Sequence, residues 1–362
     1  MEEVFSPEAI LSSTRAKYSK ALEECKPLFA LFEVTNACDL NCKHPMLDCK
    51  YCGLPSELGE YELTTDEIHS LIHNIHHGGT TAISLIGGEP TLRSDFLQIV
   101  SHASLRMEVT LVTNGQLLDR EYVAGLKDAG ISWVKVYLDS PDAELHDSIR
   151  GAGTHKKAYQ AIQNCRQEDV RVSVINAVTP LNYRQLRDMM RLAIESRAVL
   201  EMAEFLPSQS DQLVLTKEQR REAQRVMLEG QRIFGRDRIR FGSYYIVSED
   251  EEGLKVWADP AKKGSNVGYP WGIYGYGIKA NGIVVPDPLI TVPLGDLRTQ
   301  KLADIWNNSV TINTLRHRGR LKGKCGRCEY RFVCGGHRGR AYLTSTDFLD
   351  EDPACWYEPR LT

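Results

Sequence analysis

Eight of the ten cysteines in this chain fall in two tight groups near opposite ends. Cys38, Cys42, Cys49 and Cys52 form the first; Cys325, Cys328 and Cys334 form the second, with Cys355 following after a gap. Thiolates at such spacings are metal ligands more often than disulfide partners when nothing marks a chain as secreted. Soft sulfur ligands select zinc or iron–sulfur clusters. The first group contains Cys38-x3-Cys42 and Cys49-x2-Cys52, with further residues between the two halves. Three thiolates from one short loop can hold three irons of a 4Fe-4S cube and leave the fourth open to an outside ligand. Four thiolates, as in the second group, saturate such a cube. A four-cysteine zinc knot at the first group and a zinc ribbon at the second are the competing structural readings.

These thiols need elements to position them. Residues 6–26 read as a helix, with Ser6 as N-cap and Pro7 at the first helical position. Apolar, β-rich runs follow at Leu28–Thr35, Ala82–Ile86, Val109–Thr113, Trp133–Leu138, Val172–Ala177 and Leu200–Phe205. Helical patterns lie between most of them, as at Thr65–His77, Asp119–Ala129, Tyr159–Arg166 and Tyr183–Arg197. Six βα units predict an α/β fold with a parallel sheet and helices outside. The first cysteine loop, Gly87-Gly88-Glu89-Pro90 and Asn114-Gly115 all follow strand ends directly. The C-terminal strand edge is where parallel α/β folds build their sites. Beyond Phe205 the pattern changes: a long amphipathic helix at Thr216–Phe234, then a Gly-, Pro- and Tyr-rich stretch with short strands near Ile278 and Ile283–Val285. Glu249–Glu252 reads as a solvated loop. The expected divisions are 1–27, an N-terminal helix; 28–210, the core; 211–300, a connecting helix and irregular or β segment; and 301–362, the cysteine-rich end.

Composition narrows the function classes. The 362 residues suggest about two domains, and 42% hydrophobic content supports a packed core. A net charge of -4 and the lack of a basic tract give no reason to expect nucleic-acid binding. No apolar run in the sequence is long enough to span a membrane. The acidic start Met1-Glu2-Glu3 reads as neither signal nor transit peptide. A reducing cytoplasm is the expected home for such thiolates.

The residues around the cysteines resemble the radical S-adenosylmethionine (radical SAM) superfamily. Gly87-Gly88-Glu89-Pro90 resembles the family segment that holds the methionine amino group, and Val112-Thr113-Asn114-Gly115 the next strand end lining the SAM site. Tyr137-Leu138-Asp139-Ser140, then His146-Asp147-Ser148-Ile149-Arg150-Gly151, is also similar, as is Val174-Ile175-Asn176. The resemblance implies that Ser140 and Arg150 contact the SAM methionine or ribose, that Asn176 flanks the adenosine, and that Tyr51 neighbours adenine. It implies a partial (β/α)6 TIM-like barrel with a small cysteine-rich SPASM/twitch-like C-terminal domain. The cofactors so implied are S-adenosylmethionine and two 4Fe-4S clusters. In the usual family pattern Pro45 would be the third cysteine, so the ligand set is Cys38, Cys49 and Cys52, with Cys42 as alternative middle ligand. Cys325, Cys328, Cys334 and Cys355 would hold one auxiliary cluster. Asp287 and His337 stand where the family pattern has cysteines of a second auxiliary cluster.

The implied activity is reductive cleavage of SAM to a 5′-deoxyadenosyl radical that takes hydrogen from an unactivated carbon. A flavodoxin- or ferredoxin-type donor would supply the electron. The tail most resembles enzymes that tailor haem-type tetrapyrrole side chains; peptide-modifying and aminoglycoside-modifying relatives share similar tails. The substrate is therefore a small molecule or a peptide, with neither nucleic acid nor membrane as partner. A non-enzymatic iron–sulfur or zinc protein is the reading from a different class, and Gly87-Gly88-Glu89-Pro90 counts against it. His69, His73 and His77 form an i, i+4 ladder with metal-capable spacing, but read as a solvated helix face.

Overall fold

The computed structural model describes residues 24–40, 42, 61–204, 213–241, 247–250, 253–256 and 268–360. Six strands, β1 (Phe29–Glu33), β2 (Ala82–Ile86), β3 (Glu108–Thr113), β4 (Trp133–Tyr137), β5 (Val172–Val178) and β6 (Val199–Glu204), pair in parallel in chain order. Helices α1 (Thr65–His77), α2 (Phe96–Ser104), α3 (Arg120–Asp128), α4 (Ala143–Arg150), α5 (Thr154–Gln167) and α6 (Leu186–Glu195) lie between them. The period-2 alternation of strands decides which side chains meet the helices. Ala30 and Phe32, Ile83 and Leu85, Val109 and Leu111, Val134 and Val136, Leu200 and Met202 are all buried in the main core. The alternate positions, Leu31, Ile86, Val112, Tyr137, Ile175 and Ala203, line an interior cavity instead.

Helix α1 shows how the local sequence sets an element. Thr64 and Glu67 form a capping box that satisfies the free N–H groups at its start. Ile68, Leu71, Ile72 and Ile75 recur at helical spacing and are buried. The ladder residues His73 and His77 stand on its outer side and are exposed, with rings 4.1 Å apart.

Beyond β6 the chain makes α7 (Lys217–Phe234) and β7 (Ile239–Phe241), the latter parallel to β6. A hairpin of β8 (Val247–Asp250) and β9 (Gly253–Val256) follows. Glu249 and Asp250 are thus strand residues, not the loop expected; cross-strand pairing with Leu254 and Gly253 overrides their low strand preference. Strands β10 (Gly275–Ile278), β11 (Ile283–Val285) and β12 (Gly295–Asp296) rejoin the main sheet, β10 lying parallel beside β1. Among the described residues the sheet has ten strands in the order β12-β11-β10-β1-β2-β3-β4-β5-β6-β7. The chain ends with α8 (Leu302–Asn308), α9 (Val310–Arg316), α10 (Gly323–Arg327) and α11 (Arg338–Ser345). Asn74 of α1 ties this end to the barrel: its Nδ2 donates to the carbonyls of Leu297 and Gln300 at 3.2 and 2.8 Å, and its Oδ1 accepts from the Leu302 N–H at 3.0 Å. Among the described residues no helix is long and apolar enough to cross a membrane.

Candidate active site

The C-terminal ends of β1 and β2 are bound to each other through backbone. The Gly88 N–H donates to the Thr35 carbonyl at 2.9 Å and the Glu89 N–H to the Ala37 carbonyl at 2.7 Å. An added Cβ on Gly87 would overlap the Thr35 carbonyl oxygen, and one on Gly88 that of Ala37. Glycine is needed there because the cysteine loop lies directly on this turn. Glu62 braces the loop start, accepting from Thr35 Oγ1 at 3.1 Å and the Asn36 N–H at 2.5 Å.

Glu89 is fully buried. Its Oε1 accepts from the hydroxyls of Thr91 and Thr113 at 2.6 and 2.7 Å and from the Thr91 N–H at 3.2 Å; its Oε2 accepts from the Asn114 N–H at 2.8 Å. Burial raises its pKa, and these four donors oppose the rise. The carboxylate locks the ends of β2 and β3 together. Asn114 extends the network, donating from Nδ2 to Asp39 Oδ1 at 2.7 Å, beside Cys38.

The ends of β4 and β5 are held by a second buried network. Arg150 Nε donates to Asp139 Oδ2 at 2.5 Å, with both side chains at most 4% exposed. Asp139 Oδ1 also accepts the Ala177 N–H at 3.1 Å. The Arg150 guanidinium stands 4.5 Å from the Tyr137 ring centroid. Asn176 Nδ2 donates to the carbonyls of Leu138 and Asp139 at 3.2 and 2.8 Å. Ser140 Oγ donates to Gln185 Oε1 at 2.8 Å and accepts the Asp142 N–H at 2.9 Å. His146 Nδ1 accepts the Asp139 N–H at 3.1 Å, and burial pushes this imidazole down to about 4.

One cavity of about 420 Å³ connects these parts. Of the residues expected to bind cofactor, Gly87, Gly88, Thr113, Asn114 and Arg150 line it. Glu89, Pro90, Ser140 and Asn176 are buried and do not; the side chains of Glu89, Ser140 and Asn176 brace the lining from behind. Cys38 and Cys42 both line the cavity. Cys38 is exposed, whereas Cys42 is buried against Ile149, Ala177 and Leu213. Cys49, Cys52 and Tyr51 lie outside the described residues. The far wall comes from the C-terminal segment: Trp271, Asp287, Pro288, Leu289, His337 and Arg340. The sequence signal for that wall was weak: Asp287 and His337 stood out as replacements for cysteines, and Trp271 as an aromatic of the Gly-, Pro- and Tyr-rich stretch.

Cys325, Cys328, Cys334 and Cys355 surround a second, small cavity of about 30 Å³. Gly335 and Gly336, at φ of 72° and 63°, turn the chain tightly enough for the Gly336 N–H to donate to Cys334 Sγ at 3.5 Å. Cys325 Sγ accepts from the Asp352 N–H and from Arg338 Nη2, each at 3.4 Å. N–H groups aimed at sulfur are the outer-shell contacts that tune a thiolate cluster. Burial pushes Cys328 and Cys355 up to about 12. Among the described residues no three His, Cys, Asp or Glu side chains converge closely enough to hold a single ion.

Comparison with known proteins agrees with this geometry. The profile of the radical SAM superfamily matches residues 32–193, and that of an iron–sulfur cluster-binding domain, SPASM, matches residues 270–329. The PqqA peptide cyclase of Bradyrhizobium diazoefficiens is 30% identical, over 92% of this chain and 87% of its own. The chain belongs to the radical SAM superfamily. The AdoMet-dependent heme synthase of Methanosarcina barkeri is 29% identical, over 92% of this chain and 97% of its own. Among solved structures, Streptococcus suis SuiB bound to S-adenosylmethionine superposes with a TM-score of 0.72, at 15% identity, over 98% of this chain and 84% of that one. At that identity the likeness shows the fold, the α/β architecture expected from the βα alternation. The protein is a radical SAM enzyme whose cofactors are S-adenosylmethionine and iron–sulfur clusters.

Proposed function

We propose that this radical SAM enzyme tailors the side chains of a haem-type tetrapyrrole. The observation that supports this most is the similarity to the AdoMet-dependent heme synthase, which covers 92% of this chain and 97% of that protein. In this reading Cys38, Cys49 and Cys52 hold the SAM cluster, with Cys42 as the alternative middle ligand. The apolar packing of Cys42 against Ile149 and Leu213 favours a filling role for it. Cys325, Cys328, Cys334 and Cys355 hold one auxiliary cluster, within a C-terminal unit at 301–362 that follows the core at 28–210. When bound, SAM and its cluster supply a hydrogen-abstracting 5′-deoxyadenosyl radical.

The chain's own residues orient and exclude. Gly87 and Gly88 let the methionine approach the backbone, Glu89 fixes that turn, and Thr113 and Asn114 continue the same wall. Arg150, held by Asp139, would meet the SAM methionine or ribose, while Ser140 and Asn176 fix the strand ends beneath it. Tyr51, which lies outside the described residues, is assigned to the adenine by the family resemblance alone. Apolar residues such as Leu31, Val112 and Ile175 keep water from the reacting carbon. A flavodoxin- or ferredoxin-type protein supplies electrons in a reducing cytoplasm.

Identity to the PqqA peptide cyclase supports a second reading, peptide modification. One measurement separates them. Anaerobically reconstituted protein is incubated with SAM, reductant and either iron coproporphyrin III or a panel of peptides. The tetrapyrrole reading expects 5′-deoxyadenosine to rise above the uncoupled background with the porphyrin alone, with a matching mass change in the porphyrin. Stimulation by a peptide and not by the porphyrin sinks it.

A further inference from the structure

The cysteine-rich end buries more positive charge than its acids match. Between residues 318 and 352, Arg318, Lys324, Arg338 and Arg340 are buried against one buried acid, Asp352. Arg340 takes that acid, its Nη1 donating to Asp352 Oδ1 at 3.3 Å. Lys324 Nζ reaches Glu358 Oε1 at 3.2 Å, on a side chain that is itself exposed. Arg318 and Arg338 are hydrogen-bonded to no carboxylate among the described residues. Arg318 donates to the carbonyls of Cys334 and Tyr269 at 3.3 and 3.1 Å. Arg338 Nη1 donates to the carbonyls of Asp350 and, at 3.1 Å, Phe348, and its Nη2 donates to Cys325 Sγ at 3.4 Å. The Nε of each meets no partner. Buried cations without a paired counter-charge are unfavourable, so this end of the fold calls for a negative group beside them.

The turn after Cys334 is shaped around the two guanidiniums. A Cβ on Gly335 would fall on the guanidinium of Arg318. One on Gly336 would lie 2.5 Å from Arg338 Nη2 and 3.1 Å from Cys325 Sγ. Glycine at both positions therefore lets the arginines close on the cysteines. Arg318 is within electrostatic reach of Cys325 and Cys334, and Lys324 of Cys355. Two acids act on the same thiols with the opposite sign, Asp352 on Cys355 and Glu329 on Cys328. Both are engaged. Asp352 also accepts the N–H groups of His337 and Ala354 at 2.9 and 3.1 Å, and Glu329 accepts the Tyr357 hydroxyl.

We propose that Arg338, with Arg318 beside it, stabilises the reduced state of the auxiliary cluster and so raises its reduction potential. The inference rests on the assignment of Cys325, Cys328, Cys334 and Cys355 to one auxiliary cluster, and is independent of the substrate. Taking up one electron adds one negative charge to a cluster that four thiolates already make negative. Net charge, hydrogen bonds to sulfur and exposure to water set the potential of such clusters. Arg338 brings a charge and a hydrogen bond to the same sulfur, from a buried position where water screens little. A cluster so placed is disposed to take up an electron.

The test is a redox titration that needs no turnover. The reference is the full chain carrying Cys38→Ala, Cys42→Ala, Cys49→Ala and Cys52→Ala, in which the auxiliary cluster is read alone. It is reconstituted anaerobically and poised with mediators, and the reduced fraction is followed by electron paramagnetic resonance. Arg338→Gln removes the charge and keeps an N–H donor. At the potential where the reference is half reduced, it raises the oxidised-to-reduced ratio at least about tenfold, which is about 59 mV for a one-electron couple. Arg338→Lys keeps the charge and stays closer to the reference. Asp352→Asn removes a negative charge, leaves the backbone N–H on Cys325, and lowers the ratio. An unchanged ratio in Arg338→Gln overturns the proposal. So does an equal shift in Arg338→Lys, which would make the role one of packing. If Arg338→Gln retains no iron, Asp352→Asn decides: a falling ratio supports the proposal and any other result overturns it. A reference chain that holds zinc, or no iron, overturns the auxiliary-cluster assignment and this inference together.

Discussion

At the scale of single residues, burial turns several side chains into supports rather than contacts. Glu89 illustrates this, because its four hydrogen-bond donors all come from the protein. Glu89→Gln keeps one acceptor oxygen and presents an NH2 group to donors that have nowhere else to turn. The loss of charge-assisted contacts and a mismatched donor destabilise this turn by about 1.5–3 kcal/mol, and the part felt at the Gly87–Gly88 lining shows as weaker SAM binding. Equilibrium SAM binding should weaken accordingly, while the iron–sulfur absorbance is retained; unchanged affinity would refute a role for this turn in holding SAM. His146 gives a pH signature. Burial holds its folded pKa at about 4, below the ordinary 6.5, and its Nε2 meets no hydrogen-bond partner. A base with a depressed folded pKa lends stability above its unfolded pKa and loses it as pH falls toward the folded value. The window is therefore pH 6.5 down to about 4. His146→Asn preserves an acceptor for the Asp139 N–H and removes the titration. Between pH 6.5 and 5 the wild type should lose about 1–2 kcal/mol more stability than the variant. Parallel anaerobic unfolding curves across that range, with equal slopes, would count against it.

At the scale of elements, the sequence was most legible where periodicity was strict. Thr65–His77 matches α1 to the residue because a capping box opens it and Gly78 closes it. Strand β2 was equally clear at Ala82–Ile86. Tyr159–Arg166 fell short of α5, which begins at Thr154, because its start has a glycine N-cap without a side-chain hydrogen bond. Strand β7 went unread, since the three residues Ile239-Arg240-Phe241 are too short to show alternation. The pairing of β10 with β1 lay beyond any local pattern. Gly275-Tyr276-Gly277-Ile278 has two glycines and weak strand preference, and it forms a strand only because β1 presents a free edge there. The candidate site was legible as motifs at strand ends: Gly87, Gly88, Thr113, Asn114 and Arg150 do meet at one cavity. Of the far wall, Arg340 was not legible as part of it, whereas Trp271 stood out as an aromatic of the Gly-, Pro- and Tyr-rich stretch able to wall a pocket. The wall's residues come together across long separations with no spacing to announce them.

At the scale of the whole molecule, α7 joins the barrel to the cysteine-rich end. It packs against α6 and β7 on one side. On the other, the buried Arg220 donates from Nη1 to the Ala354 carbonyl at 2.7 Å, and Gln224 Oε1 accepts Trp356 Nε1–H at 2.8 Å. Lys324 Nζ holds the next carbonyl, that of Cys355, at 2.7 Å. Cys355 is thus clamped by backbone contacts from two elements, one of which belongs to the barrel side. It is separated in sequence from Cys325, Cys328 and Cys334, which share one short stretch and need no such help. Arg220→Ala strands the Ala354 carbonyl and removes one jaw of this clamp, at a cost of about 1–3 kcal/mol. The effect should be local to one cluster. Under a fixed chelator challenge, the variant should lose auxiliary-cluster iron several-fold faster than the wild type, while iron at the N-terminal cluster and SAM binding persist. Lys217→Ala, an exposed change in the first turn of the same helix, serves as the control and should behave as wild type. Equal iron loss from Arg220→Ala and the wild type would show that Cys355 is held by its neighbours alone. Loss of both clusters together would show that α7 supports the barrel rather than the auxiliary site.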